Sequence, residues 1–155
     1  MTLEEKVIQT LQEEGFQMAT AESCTGGLLA GRLLNVPGAS EVFREGYITY
    51  SNEAKERILG VSADTLEQYG AVSTQTAQEM LLGVLRQNPA VQVAVSTTGI
   101  AGPGGGTKEK PVGLIYVACL VLGELRVKEL HLKGNREENR QESVEQALKL
   151  LLECL

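Results

Sequence analysis

The hydrophobic positions of this chain change their spacing several times, and each spacing predicts a helix or a strand. Leu3, Val7 and Leu11 recur at four-residue steps, which predicts an N-terminal helix that ends at Gly15. A similar spacing predicts a last helix that begins near Asn135. A leucine-rich stretch up to residue 34 predicts another helix. Further helices are expected after three capping serines, Ser51, Ser62 and Ser73.

Short runs enriched in β-branched and aromatic residues predict strands between these helices. The runs cover residues 16–21, 45–50, 91–96, 112–121 and 125–132. The last two are joined by residues 122–124, a connection typical of a hairpin. No internal repeat, long linker or low-complexity tract divides the chain. This order of elements predicts a single α/β domain over residues 1–155, with a mixed β-sheet covered by helices.

Charge and composition narrow the expected partners and the compartment. The chain has 14 Lys and Arg against 20 Asp and Glu, a formal net charge of -6. Proteins that bind a phosphate backbone are basic, so we do not expect a nucleic-acid partner. No apolar run is long enough to span a membrane, and the N-terminus lacks the features of a signal peptide. Three cysteines without CxxC spacing indicate reduced thiols, and we expect a cytoplasmic protein.

Histidine is the scarcest reactive group, because His131 is the only one. A zinc site with two or three imidazoles therefore cannot be built within one chain, and no acidic or cysteine cluster has metal-ligand spacing. We expect no metal. Cys24 could be a thiolate nucleophile at a helix N-terminus, but its only imidazole partner would be His131, which we place at an exposed strand position. Acid–base chemistry is expected to rely on other groups.

Two turns rich in small residues follow predicted strands, which is where α/β sheets bind ligands. The first, Ser23-Cys24-Thr25-Gly26-Gly27, gathers hydroxyl and backbone N–H groups at a helix start, and such groups bind anions. The second, residues 97–106, contains five glycines, which let the backbone approach a ligand closely. It matches neither the dinucleotide-binding nor the P-loop pattern. The alternative for the first turn is an ordinary capped helix, and the alternative for the second is a flexible surface loop.

Ser40, Tyr50 and Lys55 form a third candidate group. Ser40 follows a tight turn that can hold its hydroxyl in place. Lys55 falls in the first turn of a predicted helix, where the helix dipole disfavours a cation and favours the neutral amine, which is a base. The dipole supplies about 0.3–1 kcal/mol of the roughly 3–5 kcal/mol that such a base requires, so burial or another cation must supply the rest. Taken singly, the simpler interpretations are a helix cap, a cross-strand packing residue and a surface lysine.

Several stretches of the chain together resemble one known family. They are Ala21–Gly27, Ser40–Lys55, Gly70–Ser73, Thr98–Pro103 and Lys110–Gly113. The second stretch reads Ser40-x-x-Phe43-x-x-Gly46-Tyr47-Ile48-Thr49-Tyr50-Ser51-Asn52-x-x-Lys55. In these motifs, which occur in one order across nearly all 155 residues, the chain resembles the CinA C-terminal-domain family.

The resemblance implies an activity, the deamidation of nicotinamide mononucleotide to nicotinate mononucleotide and ammonia in pyridine-nucleotide salvage. We expect no cofactor. The resemblance also implies catalytic roles for Ser40, Tyr50 and Lys55. On this basis we expect Ser40 Oγ to attack the carboxamide carbon while neutral Lys55, directly or through Tyr50, takes the hydroxyl proton. We expect substrate contacts from both small-residue turns, at Ser23, Thr25, Gly26, Gly27, Thr98, Gly99 and Gly102.

Members of this family occur alone or behind a larger N-terminal domain associated with nucleotide pyrophosphatase activity, which we expect to be absent from this chain. Two rival functions are a nucleotide-sensing or protein-interaction module, suggested by the family's association with competence, and a phosphotransferase that uses the glycine-rich loop with magnesium and ATP. We also expect a homo-oligomer, since so small an α/β unit leaves a sheet edge or helix face to cover.

Overall fold

The computed structural model describes residues 1–155 and contains one β-sheet between two layers of helices. The α-helices are α1 (Leu3–Glu14), α2 (Leu28–Leu34), α3 (Asn52–Leu59), α4 (Ala63–Gln68), α5 (Thr74–Gln87) and α6 (Arg136–Cys154), and a 3₁₀ turn covers Ala39–Glu41. The strands are β1 (Met18–Glu22), β2 (Phe43–Ile48), β3 (Val93–Gly99), β4 (Leu114–Val121) and β5 (Glu124–His131). The predicted single α/β domain with a mixed sheet is confirmed.

The sheet has the strand order β2-β1-β3-β4-β5. Strand β1 runs parallel to both of its neighbours, β2 and β3. Strand β4 runs antiparallel to both of its neighbours, β3 and β5. The chain therefore leaves β1 toward one edge of the sheet and later enters β3 on the other side of β1. In open α/β sheets, a crevice forms outside the carboxyl ends of the strands at such a switch point.

The two helical layers bury different sides of each strand. Helices α1, α2 and α6 cover one face around a core cluster that includes Met18 and Val95. Helices α3, α4 and α5 cover the other face around a second cluster that includes Ala19 and Ala94. Consecutive strand residues point to opposite faces, which explains this alternation. None of the helices is both long and apolar enough to cross a membrane.

The helix boundaries follow the capping residues that the sequence presents. Thr2 and Glu5 form a reciprocal capping box at the start of α1, which ends at Gly15 in the left-handed conformation (φ 70°). Asn135 and Glu138 form the equivalent box at the start of α6. Each box satisfies backbone N–H groups that a helix start leaves unpaired.

Close packing of α5 against α3 fixes the position of α3 over the sheet. A Cβ atom added at Gly83 would lie only 2.1 Å from the carbonyl oxygen of Leu59, which is the last residue of α3. Only glycine allows this approach of the two backbones. In contrast, Gly31 in α2 has no atom within 4 Å of the equivalent position.

The ends of the strands differ from the predicted runs by at most three residues. Strand β2 occupies residues 43–48, whereas the prediction was 45–50. The sequence alternates through Thr49 and Tyr50, but the backbone leaves the sheet there, and both carbonyl groups accept hydrogen bonds from Lys55 instead. Periodicity alone does not show where a strand loses its partner.

Candidate functional site

The carboxyl ends of three parallel strands meet at the switch point of the sheet. The last residue of β1, Glu22, lies beside Ile48 of β2 and Thr97 of β3. The Ser23 N–H donates to the Thr97 carbonyl at 3.0 Å. This pairing brings the two small-residue turns together, as expected for a site at this edge. The segment that follows β2 lies at the same edge.

Lys55 is the most deeply buried cation at this edge. Helix α3 begins after the cap Ser51, and its first turn directs Lys55 inward, where the residue is only 1% exposed. Its Nζ lies 2.9 Å from Ser23 Oγ, 2.9 Å from the Thr49 carbonyl oxygen and 3.1 Å from the Tyr50 carbonyl oxygen. No carboxylate lies within salt-bridge distance of this Nζ.

The surroundings of Lys55 increase the fraction of its neutral form relative to an ordinary lysine. Burial lowers the pKa of Lys55 from its ordinary value of 10.5 to about 8, against a smaller opposing effect of the Cys24 thiol. Burial thus supplies the effect that the helix dipole alone could not. A neutral amine has two N–H groups, which two backbone carbonyls can accept, and one lone pair. In the structure, Lys55 Nζ donates to Ser23 Oγ, and the Ser23 hydroxyl donates to the Tyr50 carbonyl oxygen at 3.4 Å. When Lys55 is neutral, its lone pair can accept the Ser23 hydroxyl proton in place of that carbonyl.

The structure does not bring Ser40 to Lys55 within one chain, so this geometry does not support the predicted proton transfer between these two residues. Ser40 is exposed in the 3₁₀ turn before β2, near the start of the sheet. Lys55 contacts residues that follow the other end of β2. The strand between them, from Phe43 to Ile48, spans about 16 Å at about 3.3 Å per residue.

Tyr50 contacts Lys55 through its backbone and not through its side chain. The residue is 62% exposed, and its hydroxyl accepts a hydrogen bond from Arg136 Nη2 at 3.1 Å. The phenol is therefore exposed and directed toward Arg136. The predicted relay of a proton from the Tyr50 hydroxyl to the lysine is not present.

The first small-residue turn is arranged differently from the expected anion site. The buried carboxylate of Glu22 accepts the backbone N–H groups of Leu29 and Ala30 at 2.9 and 3.1 Å, and the Thr25 hydroxyl at 2.5 Å. The protein's own carboxylate thus occupies the N-terminus of α2. The predicted phosphate site at this helix start is therefore not open.

Two of the hydroxyl groups predicted to bind substrate are used inside the protein. The Thr25 hydroxyl also contacts the Thr97 hydroxyl at 2.7 Å, and the Thr98 hydroxyl donates to the Ala71 carbonyl at 2.8 Å. Both threonines are buried. The remaining predicted contacts, at Gly26, Gly27, Gly99 and Gly102, stay predictions.

Three backbone N–H groups of the first turn have no acceptor within the protein. The backbone N–H groups of Cys24, Thr25 and Gly27 donate to no acceptor in the protein. Cys24 and Thr25 are buried, and buried N–H groups without a partner are rare enough to require an explanation. They follow Ser23 directly in the chain, so they are suited to hold a negative oxygen beside the Ser23 hydroxyl.

Helix α6 supplies site residues that the sequence reading did not identify. Arg140 donates to the carbonyls of Cys24 and Thr25 at 2.9 and 3.2 Å. Asn139 donates to the carbonyl of Ala101 at 3.0 Å, and Arg136 donates to a carbonyl of the second turn at 2.8 Å. The arginines are four residues apart, which places them on one helix face. That spacing was visible, but nothing in the sequence shows which loops the face contacts.

A cavity of about 560 Å³ opens beside these α6 residues. Its lining residues are Ala101, Pro103, Val112, Gly134, Asn135, Arg136 and Glu137. This volume is in the range of small-molecule sites. Arg136 joins the cavity to Tyr50 and has no carboxylate partner within salt-bridge distance.

The side chains of Cys24 and His131, which the sequence also offered as reactive groups, take no part in the candidate chemistry. Burial raises the pKa of the Cys24 thiol to about 12, so it remains protonated at neutral pH and is a poor nucleophile. His131 is exposed at the end of β5 and pairs with Glu129 at 2.7 Å, as its predicted strand position implied.

The fold and the site together define an α/β protein with a buried serine–lysine pair at the switch point of a mixed sheet. The chain belongs to the CinA C-terminal domain family, whose model matches residues 1–155.

Solved structures share this fold throughout. A competence/damage inducible protein from Agrobacterium tumefaciens is 43% identical, with a TM-score of 0.94 over 97% of this chain and 92% of that one. A CinA superfamily protein from Escherichia coli is 34% identical, with a TM-score of 0.95 over 99% of this chain and 88% of that one.

Curated relatives are longer than this chain. A Clostridium novyi protein that carries the name competence-damage inducible protein is 57% identical over 151 residues, which are 97% of this chain and 36% of that protein. The chain thus spans about a third of the length of the curated relatives it matches.

Proposed function

We propose that this protein is an amidohydrolase that converts nicotinamide mononucleotide to nicotinate mononucleotide and ammonia, with Ser23 as nucleophile and Lys55 as general base. One observation carries the proposal, the 2.9 Å contact between Ser23 Oγ and a buried lysine that lacks a carboxylate partner. A serine hydroxyl is a weak nucleophile until an adjacent base takes its proton. The resemblance to the CinA C-terminal-domain family, and not the geometry, supplies the substrate.

In the first step, the Ser23 hydroxyl transfers its proton to Lys55 Nζ while Oγ attacks the carboxamide carbon. The resulting ammonium group of Lys55 then gives this proton to the departing nitrogen, which leaves as ammonia. In the second step, Lys55 takes a proton from water, which attacks the acyl–Ser23 ester. As the ester bond breaks and the carboxylate product leaves, Lys55 returns this proton to Ser23 Oγ. The lysine thus acts in turn as base and acid, as histidine does in serine proteases.

The N–H groups of Cys24 and Thr25, which have no acceptor in the protein, would stabilise the tetrahedral oxyanion. One well-aimed donor of this kind contributes about 3–4 kcal/mol to transition-state stability in comparable sites. Arg140 is a positioning residue in this scheme. It holds the Cys24 carbonyl, and the trans peptide bond then directs the Thr25 N–H to the opposite side.

Arg136 is the residue we assign to the 5′-phosphate. The N-terminus of α2 is occupied by Glu22, so the phosphate needs another partner in a protein of net charge -6. Arg136 lies at the cavity of about 560 Å³ and contacts neutral groups only. Guanidinium groups bind phosphate oxygens well because their N–H groups can pair with two of them.

The test is ammonia release from nicotinamide mononucleotide by the wild type, Ser23→Ala and Ser40→Ala. We expect Ser23→Ala to lose at least about 10³-fold in kcat and Ser40→Ala to retain wild-type activity. A reversed pattern would restore Ser40 as the nucleophile. An inactive wild type would favour the nucleotide-sensing or interaction module, and activity that requires magnesium and ATP would favour the phosphotransferase.

A further inference from the structure

Two cysteines from distant parts of the chain meet at the end of α6 that is remote from Lys55. Cys119 lies in the middle of β4, and Cys154 is the last residue of α6. Their Sγ atoms are 2.9 Å apart. Cys119 is fully buried in the core, whereas Cys154 is partly exposed. Arg126, the cross-strand neighbour of Cys119, places a guanidinium nitrogen 3.9 Å from Cys154 Sγ.

We propose that Cys119 and Cys154 form a redox modification site, which closes to an intramolecular disulfide when the protein meets a hydroperoxide. A disulfide has a sulfur–sulfur distance of about 2.05 Å, so the two sulfurs need to approach by less than about 1 Å. The third thiol, Cys24, contacts neither of them. Of the three thiols in the chain, only those of Cys119 and Cys154 are close enough to each other to form this bond.

The exposure of the two thiols sets the order of the steps. The Cys154 sulfur attacks one oxygen of hydrogen peroxide, which gives a Cys154 sulfenic acid and one water. The Cys119 sulfur then attacks the Cys154 sulfur, and its proton leaves with the hydroxyl group as a second water. Two thiols and one peroxide thus give one disulfide and two waters.

The buried Cys119 is suited to attack the Cys154 sulfenic acid, but not to react first with the peroxide. Burial and the neighbouring Cys154 thiol raise the pKa of Cys119 well above its usual range, so Cys119 is not the first to react. Its Sγ is nevertheless already in contact with the sulfur that it must attack. A sulfenic acid that forms next to a second thiol is consumed before further oxidation.

The disulfide would fasten α6 to the sheet. The loop that it closes joins residues 35 apart, and a cross-link of this length lowers the entropy of the unfolded chain considerably. The same helix carries Arg140 at its other end, about 20 Å away at about 1.5 Å per residue. Oxidation should therefore strengthen the docking of the element that holds both active-site turns.

The test is oxidation of the folded wild type with hydrogen peroxide, followed by titration of thiols in denaturant. We expect three thiols to fall to one, and a cross-linked pair of tryptic peptides, 109–126 with 150–155, that separates on reduction. The oxidised protein should melt about 5–10 °C higher than the reduced protein.

Cys24→Ala is the matched control, and it should still lose two thiols. Cys154→Ser changes a partly exposed position. This variant should lose no thiols to an intramolecular disulfide, and its melting temperature should not rise on oxidation. A Cys154–Cys154 link between two chains, a Cys154 sulfinic acid as the main product, or three thiols unchanged after treatment would each overturn the proposal.

Discussion

Replacement of Lys55 by Arg and by Met tests the proposed base most directly. With a pKa of about 8, about one lysine in ten is neutral at pH 7, against about one in three thousand for an ordinary lysine. The protein environment therefore raises the concentration of the active base about 300-fold. Arginine does not become neutral at these pH values, and methionine has no lone pair on nitrogen.

We expect both variants to lose at least about 100-fold in kcat with a smaller change in KM, because general-base catalysis contributes about 10²–10⁴-fold. The assay is ammonia release from nicotinamide mononucleotide between pH 6 and 10. The wild-type kcat/KM, whose pH dependence reports groups of the free enzyme, should rise tenfold per pH unit and level off near pH 8. The residual activity of Lys55→Met should lack this inflection.

Circular dichroism and thermal melting establish that the variants are folded. Lys6→Met, which changes an exposed lysine of α1, is the matched control and should keep the wild-type profile. A Lys55→Arg enzyme with wild-type kcat, or a wild-type profile that is flat from pH 6 to 9, would refute the role of Lys55 as base.

Three further predictions concern packing, capping and substrate recognition. Gly83→Ala should lower the unfolding free energy by about 1–3 kcal/mol and lower kcat, because the added methyl group displaces α3. Gly31→Ala should raise the unfolding free energy by about 0.5–1 kcal/mol. Chemical denaturation measures both changes. Glu22→Gln should cost about 1–3 kcal/mol, measured the same way, because one oxygen that accepts buried donors becomes an NH₂ group. Arg136→Gln should raise KM about tenfold or more for nicotinamide mononucleotide but leave turnover of the riboside, which lacks the phosphate, unchanged.

Stability should also depend on pH through Lys55. The pKa of Lys55 is lower in the folded state than in the unfolded state, so the unfolded chain binds more protons between about pH 8 and 10.5. The unfolding free energy therefore rises with pH across this window, and the gain is absent below it. Denaturant unfolding of the wild type and Lys55→Met at pH 7.5 and 10.5 measures the difference. Identical pH dependence in the two proteins would contradict the lowered pKa.

The sequence was informative where the signal is local. Capping residues, turn glycines and apolar spacing depend on residues a few positions apart, so the helices and their order were predictable. Lys55 was also found locally, because its place in a first helical turn already favours the neutral amine.

The residue that contacts Lys55 is distant from it in sequence, and residue spacing alone favoured Ser40 over Ser23. Ser40 lies fifteen positions before Lys55 and Ser23 thirty-two, yet only Ser23 is near it in space. Parallel pairing of β1 and β2 brings residues after both strands to the same edge, while Ser40 precedes its strand. Which residues face each other therefore followed from strand direction, which the residue spacing does not contain. The contacts of Arg136 and Arg140 were hidden for the same reason.

The hydrogen bonds from Arg140 to the first turn have a consequence for the order of assembly. They join residues 115 and 116 positions apart, so a growing or refolding chain cannot make them until α6 exists and has docked. Contacts with such long separations form late. In a refolding experiment we therefore expect the helices and the β4–β5 hairpin to form first, and ammonia-releasing activity to return last, together with the docking of α6.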